Sequence, residues 1–355
     1  VSKWRESTWG EEISLEYGKA LRDYEKASGK FRVFGSNGPI GWTAEPLVSG
    51  PGVILGRKGA YRGVQFSLDP FFVIDTAYFV VPKTQLDMRW LYYAIRHHKL
   101  GEIDDGSPIP STTRAAVYVK DLEVPTFPEQ RAIASVLGSL DDKIELNRRM
   151  NETLEALAQS LFKSWFVDPT QSALPKGWRE GRLDDVLVLQ RGFDLPSTQR
   201  TQGPYPVLCA SGPNGTHGEF MVRGPGVTTG RSGSLGQVYF VHEDFWPHNT
   251  SLWVKEFKNS TPLFTFHLLR TLDFGIFNSG SAVPTLNRNH VHNLPVNIPP
   301  MELIQKFEAT VSPMYLRLKS NDAESRTLAT LRDALLPKLL SGELRVPSAK
   351  EVQNG

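Results

Sequence analysis

PTFPEQRAIASVLGSLDDKIELNRRMNETLEALAQSLFKSWFVDP, Pro125–Pro169, is the stretch whose reading decides the architecture. From Glu129 to Trp165 it contains no proline, and Leu137, Leu140, Ile144, Leu154, Ala158, Leu161 and Trp165 recur at alternating steps of three and four, with Asn147 in the same register. That spacing is a heptad seam, the stripe of a helix made to lie against another helix. Thr126 followed by Glu129 supplies a capping-box start. At about 1.5 Å per residue the helix is ~55 Å long, longer than a small domain is wide. The charged run DDKIELNRRMNE, Asp141–Glu152, reads as its solvated outer face.

A second such helix exists because the chain is one unit written twice. Trp4 and Trp178 lie 174 positions apart, and the same offset links Gly18 to Gly192, Gly38 to Gly212, Pro39 to Pro213 and Gly41 to Gly215. GPGVILGRKG, Gly50–Gly59, falls on GPGVTTGRSG, Gly224–Gly233, which pairs Arg57 with Arg231. Phe66 meets Phe240, Thr76 meets Thr250, Arg96 meets Arg270, Gly106 meets Gly280, Pro125 meets Pro299 and Asn147 meets Asn321. The twin helix runs from about Met301 to Ser341 with Met314, Leu318, Leu328, Leu335 and Leu339 on its seam. Neither helix can hide its stripe alone, so each is expected to pair with the other. The pairing residues are Leu140, Ile144, Asn147, Leu154 and Leu161 with Leu318, Asn321, Leu328 and Leu335. Gly138 and Ser139 fall opposite Ser312 and Pro313, where a bend is expected, and Pro313 and Pro337 are expected to interrupt the second helix.

Residues before each helix read as short β-branched and aromatic runs between glycines and prolines, such as the strand FFVIDTAYFVV, Phe71–Val81. MRWLYYAIRHH, Met88–His98, is an amphipathic helix that recurs as LFTFHLLRTL, Leu263–Leu272. The expected fold class is α+β: two repeated α+β domains separated by two long antiparallel helices, pseudo-two-fold symmetric. The divisions are 1–127, a helix at 128–167, 168–299, a helix at 300–345, and a tail at 346–355.

Totals agree with a soluble multidomain protein. The 355 residues are 40% hydrophobic and 22% charged, with mean hydropathy -0.30. No apolar run approaches the ~20 residues of a membrane span, and VSKWRESTWGEE carries no secretory signal pattern. A single cysteine, Cys209, excludes an internal disulfide and suits a reducing cytoplasm. The net charge of +2 means that any nucleic-acid surface must come from clustering.

No catalytic or metal-binding residue emerges. Asp69-Pro70-Phe71-Phe72 lacks the second proline of an amino-methyltransferase loop and reads as a turn into a strand. GPGVTTGRSG has the wrong spacing for a phosphate-binding loop and Arg231 where a lysine is required, so both GPGV segments read as a strand and a tight turn presenting a basic side chain. His97-His98 and His290-x-His292 lack zinc-ligand spacing, and Cys209 reads as a small buried side chain. Two alternatives stay open: a tandem β-rich adaptor that binds no DNA, and a DNA methyltransferase-like enzyme.

The Pro125–Pro169 stretch resembles the central region of type I restriction-modification specificity subunits, in which a Pro-Glu-Gln start opens a long helix. LPKGW (Leu174–Trp178), SAVPTLNRNHVHNLPVNIPP (Ser281–Pro300) and LLPKLLSGELRV (Leu335–Val346) fit the same family, so the resemblance covers nearly the whole chain. The second copy departs in having PPMELIQKF where the first has FPEQRAIAS, and the first begins at Val1 without the Leu-Pro found before Trp178, as if a few residues preceded it. The resemblance implies two target-recognition domains, each reading one half of an interrupted asymmetric site in double-stranded DNA, with the helices as a ruler. It also implies two modification subunits and restriction subunits as partners, in a bacterial or archaeal cytoplasm. S-adenosylmethionine, ATP and Mg would belong to those partners, leaving this chain without cofactor, metal or catalysis.

In such a repeat, matched residues are expected to position DNA by its phosphates and unmatched ones to read bases. Arg57 and Arg231, with Lys58 and Ser232 beside them, are the matched candidates. The loops SPIPSTTRAAV from Ser107 and SAVPTLNRNHV from Ser281 are the unmatched ones, with Thr112, Thr113 and Arg114 facing Leu286, Asn287 and Arg288, flanked by Thr285 and Asn289. Asn and Arg can pair bidentately with adenine and guanine edges. Ser36 and Asn37, opposite Ala210 and Ser211, are weaker candidates.

Overall fold

Among the described residues, nine short strands and three short α-helices precede the first long helix. In chain order they are β1 (Arg5–Thr8), α1 (Trp9–Glu12), β2 (Ile13–Tyr17), β3 (Phe31–Gly35), β4 (Gly38–Thr43), β5 (Gly52–Gly56), β6 (Val64–Ser67), β7 (Phe71–Val73), β8 (Ala77–Pro82), α2 (Met88–His97), α3 (Arg114–Tyr118), β9 (Asp121–Val124) and α4 (Phe127–Phe162). The computed structural model describes residues 4–25, 28–104, 106, 108–277 and 285–346. Strands β2-β8-β5-β6 form one antiparallel sheet, β4-β3-β7 a second in which β3 and β7 are parallel, and β1-β9 a two-stranded ribbon. All five residues of β5 are buried, which is why GVILG is continuously apolar and not alternating.

The same order returns as β10 (Arg179–Arg182), α5 (Leu183–Val186), β11 (Leu187–Arg191), β12 (Tyr205–Cys209), β13 (Gly212–His217), β14 (Gly226–Gly230), β15 (Val238–Val241), β16 (Trp246–Pro247), β17 (Ser251–Phe257), α6 (Pro262–Thr271), α7 (Arg288–His292), β18 (Pro295–Ile298) and α8 (Met301–Leu340). Twelve of the thirteen elements begin 174 residues after their counterparts, and β16 alone is displaced by one. The sheets β11-β17-β14-β15, β13-β12-β16 and β10-β18 repeat the strand orders. FFVIDTAYFVV is not one strand. A turn at Asp75-Thr76 divides it, and β7 and β8 belong to different sheets.

The chain divides into two compact units, Val1–Leu146 with Glu324–Gly355, and Asn147–Ala323, so both long helices contribute to both. In the first unit Ile133, Ala134 and Leu137 of α4 and Leu339 and Leu340 of α8 enter the core around Trp9, Leu15, Leu55 and Trp90. In the second, Ala158 and Phe162 of α4 and Ile304, Phe307, Val311 and Tyr315 of α8 enter the core around Leu189, Phe264 and Leu269. The buried stripe is therefore wider than a seam: Leu140, Ile144, Leu154, Leu161, Leu318, Leu328 and Leu335 are half-buried, while adjacent positions pack on the sheets. A π-helical turn at Lys163–Val167 follows α4 and puts Phe166 5.3 Å from Phe307 and 5.0 Å from Phe264, ring to ring.

Thr126 and Glu129 form the expected cap, the Thr126 N–H donating to Glu129 Oε2 at 3.0 Å. The next residue of the Pro-Glu-Gln start is almost fully buried, Gln130 accepting from Asp87 N–H at 2.8 Å and donating to Pro125 O at 3.0 Å. The charged run is not a merely solvated face. Within the first unit Asp141 pairs with Arg332 at 2.5 Å, Asp142 with Arg89 at 2.6 Å and Lys143 with Glu324 at 3.2 Å. Within the second, Asn151 donates to Asp322 at 2.7 Å.

Helix α8 runs through both Pro313 and Pro337 without interruption, and α4 through Gly138-Ser139. An interior proline costs about 3 kcal/mol. Val311 and Tyr315, both buried, flank Pro313, and each large buried side chain contributes roughly 1.5–3 kcal/mol, which outweighs that cost. The helix ends at Leu340, one residue before the Ser341 expected from its seam, and Gly342 turns beyond it at φ +70°.

Asn147 and Asn321 are both fully buried, Asn147 Nδ2 lying 3.4 Å from the Asn321 carbonyl and Asn321 Nδ2 donating to Asn151 Oδ1 at 2.8 Å. Asn321→Ala should therefore lower stability by roughly 0.5–1.5 kcal/mol, the usual net worth of a hydrogen bond, because it removes the donor to Asn151 Oδ1. Replacing both Asn147 and Asn321 with Leu should raise the thermal midpoint instead, because the seam becomes apolar. Thermal denaturation checks both, and an Asn321→Ala chain as stable as the native one contradicts a structural role for the pair.

Candidate nucleic-acid interface

In the first unit β5 delivers Arg57, Lys58 and Gly59 to a sheet end. Gly59 turns there at φ +112°, a conformation costly for other residues. Arg57 N–H donates to Thr76 O at 3.0 Å and Thr112 N–H to Arg57 O at 2.9 Å, while Lys58 bridges to Ser111. The Ser36 hydroxyl lies 2.6 Å from both Thr76 O and Lys58 O. These bonds gather Ser36, Arg57, Lys58, Thr113 and Arg114 at one edge. Lys58 and Asn37 are exposed; Ser36, Arg57, Thr113 and Arg114 are half-buried.

The guanidinium groups of Arg57 and Arg114 stand 5.1 and 4.2 Å from the Tyr17 ring centroid, and both lie 5.9 Å from that of Tyr78. Arg114 also faces Glu16 at 3.4 Å, whereas Arg57 pairs with no carboxylate among the described residues. Burial, with the Tyr17 hydroxyl beside it, pushes the Tyr78 phenol up to about 12 against the pull of Arg57 and Arg114, so Tyr78 remains neutral.

Thr112 cannot reach a base from this position. It is fully buried, and its hydroxyl lies 3.2 Å from Ile103 O and accepts from Arg62 Nε at 3.1 Å. Arg62 further binds Gly101 O at 2.9 Å, Gly59 O at 2.7 Å and Ile103 O at 3.1 Å, clamping the two loops together. Gly236 stands at the Arg62 position of the second unit and buried Leu286 at the Thr112 position. The divergence at 112 and 286 thus exchanges a polar clamp for apolar packing.

The second unit repeats the frame. Arg231 N–H donates to Thr250 O at 2.9 Å, Leu286 N–H to Arg231 O at 2.7 Å, and Ser232 bridges to Thr285. Ser211, Thr285, Asn287, Arg288 and Asn289 are exposed, and Ser232 is half-buried. Asn287 caps α7 by accepting from Asn289 N–H at 3.0 Å. An open cleft of about 330 Å³ lies between Arg191, Arg231, Leu252, Thr285, Leu286, Asn287 and Arg288. Ser107 and Ser281–Pro284 of the two sequence-selected loops lie outside the described residues, as does Gly280. Tyr17, Tyr78, Arg62 and Arg191 were not selected from sequence. Placing the copies side by side would have shown Tyr17 against Arg191, Tyr78 against Leu252 and Arg62 against Gly236 as unmatched positions.

The residues weighed for catalysis have structural places. Asp69–Phe72 is the turn into β7 with Phe71 buried, Cys209 is half-buried on β12, His98 packs edge-on against Trp9, and His292 Nε2 accepts from Leu189 N–H at 2.8 Å. Among the described residues no three His, Cys, Asp or Glu side chains gather as a metal site, and no helix is long and apolar enough to cross a membrane.

Residues 175–311 match the family described as the type I restriction modification DNA specificity domain. The type I restriction enzyme MjaIX specificity subunit of Methanocaldococcus jannaschii is 28% identical over 309 residues, 75% of this chain and 71% of that protein. The type I restriction enzyme HindI specificity subunit of Haemophilus influenzae is 33% identical over 157 residues, 42% of this chain and 33% of that one. The crystal structure of a type I restriction-modification system S subunit from M. genitalium shares the fold, with a TM-score of 0.67 over 95% of this chain and 96% of that chain at 20% identity.

Arg57→Ala and Arg231→Ala should each weaken duplex DNA binding whatever its sequence, and each should flatten the dependence of log K on log salt by about 0.9 for every phosphate that the variant no longer neutralises. Salt titrations of duplex binding check this, and an unchanged slope in both variants removes the two arginines from the interface.

Proposed function

We infer, from the premise that this chain belongs to the specificity subunits of type I restriction-modification systems, that each of its two units reads one half of an interrupted, asymmetric DNA site. The chain is the DNA-specificity subunit of such a system and not a catalytic one. The observation that carries the two-reader assignment is one framework with unlike contact residues. Arg57 and Arg231 end matching strands and receive matching main-chain bonds, while Thr113 faces Asn287 and Tyr17 faces Arg191 across the 174-residue offset.

On this reading 1–127 and 168–299 are the target-recognition domains. The helices at 128–167 and 300–345 form an antiparallel coiled-coil spacer, and the molecule is pseudo-two-fold symmetric, with 346–355 as a tail. Two identical modification subunits suit a repeated scaffold, since matched surfaces offer the same partner two seats. Restriction subunits complete the assembly, in the cytoplasm of a bacterial or archaeal cell. S-adenosylmethionine, ATP and Mg are assigned to those partners. The adaptor alternative is disfavoured by the edge itself, where Arg57 and Arg231, without carboxylate partners among the described residues, are held by main-chain bonds, an arrangement suited to a polyanion.

Asn287→Asp supplies the test, because Asp retains the capping acceptor for α7 but loses the amide donor needed to pair with an adenine edge. DNA modified by the enzyme assembled with its modification subunits should show relaxed or altered preference in one half-site only, by roughly 1–3 kcal/mol of discrimination, with the other half and the spacer unchanged. Sequencing the methylated sites reads this directly. A change in both half-sites at once contradicts independent readers.

A further inference from the structure

We propose that Arg191, Arg231 and Arg288 form a DNA-phosphate cleft in the second unit that has no equal in the first, so that the two half-sites are gripped with unequal electrostatic strength. The proposal rests on the reading of the chain as a two-part DNA reader and adds Arg191 to its contact residues.

The matched positions in the first unit are Tyr17, Arg57 and Arg114. There the space between the arginines is filled by Tyr17 and Tyr78, whose rings lie 5.1 Å apart, and Glu16 faces Arg114. One of the two cations is thereby offset, and the aromatic faces occupy the room an anion would need. In the second unit Leu252 replaces Tyr78, Arg191 replaces Tyr17 and Gln190 replaces Glu16. The smaller leucine opens the cleft of about 330 Å³. The second replacement adds a cation, and the third removes the carboxylate that would have faced Arg288.

Arg191 stands 3.3 Å from Asp194, with both side chains more than half exposed. Such a pair is solvent-screened and weak, and Asp194 also accepts from Asn249. Among the described residues the Arg231 guanidinium has one acceptor, the Asn249 carbonyl at 3.4 Å, which leaves most of its donors for a ligand. A guanidinium cluster with planar, multiple donors is suited to the oxygens of a phosphodiester.

Full-length Arg191→Tyr, which installs the first unit's residue, and Arg191→Lys, which keeps the charge, separate the possibilities in salt titrations of specific duplex binding. Arg191→Tyr should flatten the log K against log salt slope by about 0.9, shrinking the affinity ratio between 50 and 200 mM salt by roughly 3.5-fold, with Arg191→Lys close to the native slope. Duplex binding with the native slope in Arg191→Tyr overturns the proposal. So does a changed base preference at an unchanged slope, which would place Arg191 on a base. A parallel titration with inorganic phosphate, followed by NMR of the arginine Nε–H signals, tests the cleft without DNA. Shifts at Arg191, Arg231 and Arg288 that vanish in Arg191→Tyr support the anion site, and their absence from the native chain overturns it. If the native chain binds phosphate in this way but no duplex, the reading of function fails and the anion site stands.

Discussion

An apolar stripe that a lone helix cannot bury is the constraint on which the rest of this structure depends. Each long helix passes through both compact units, and each unit is closed by a segment distant in sequence: Glu324 onward completes the first, while Asn147–Phe162 belongs to the second. Leu339 and Leu340 sit in the first unit's core with Leu137, and Ala158 and Phe162 sit in the second unit's core with Phe307. A globular unit without its borrowed segment would expose these side chains, so the repeat is a condition of folding. Buried Asn147 and Asn321 add registry to that closure, because a polar pair tolerates few alternative alignments.

The same duplication separates a common frame from the side chains that differ between its copies. Main-chain bonds to Arg57 and Arg231 recur in both units, while the side chains around them are free to diverge. Divergence has two kinds. Arg62 with Thr112, against Gly236 with Leu286, is a coordinated packing exchange that keeps the loop in place. Glu16 and Tyr17, against Gln190 and Arg191, change the charge that the edge presents.

Much of this was legible in the sequence. The constant 174-residue offset predicts the recurrence of the elements, and the Thr126-Glu129 pair predicts the start of α4. Patterns of this kind are visible because a repeat and a cap each constrain residues at fixed spacing. What was not legible depends on tertiary context. Pro313 sits inside a helix because Val311 and Tyr315 are buried beside it, and Thr112 is withdrawn from the surface by Arg62, fifty positions away. Asp141 and Lys143 look solvated until Arg332 and Glu324 are brought to them. Glu308 is a further case. Its carboxylate accepts from the N–H groups of Leu263 and Phe264 and so caps α6, whose Thr261 makes no side-chain cap, a role no local spacing announces.

If duplication is what makes a complete reader, then one copy carries both a reader and a helix whose second half matches the segment that closes it. The residues before Trp178, expressed alone and supplied with modification subunits, should form a homodimer related by a true two-fold axis. Selection of bound duplexes from a random pool is the direct measurement. An interrupted palindrome of the first half-site is the predicted result. Recovery of the original asymmetric site, or a folded dimer with no preferred sequence, would contradict the account of two independent readers on a duplicated frame.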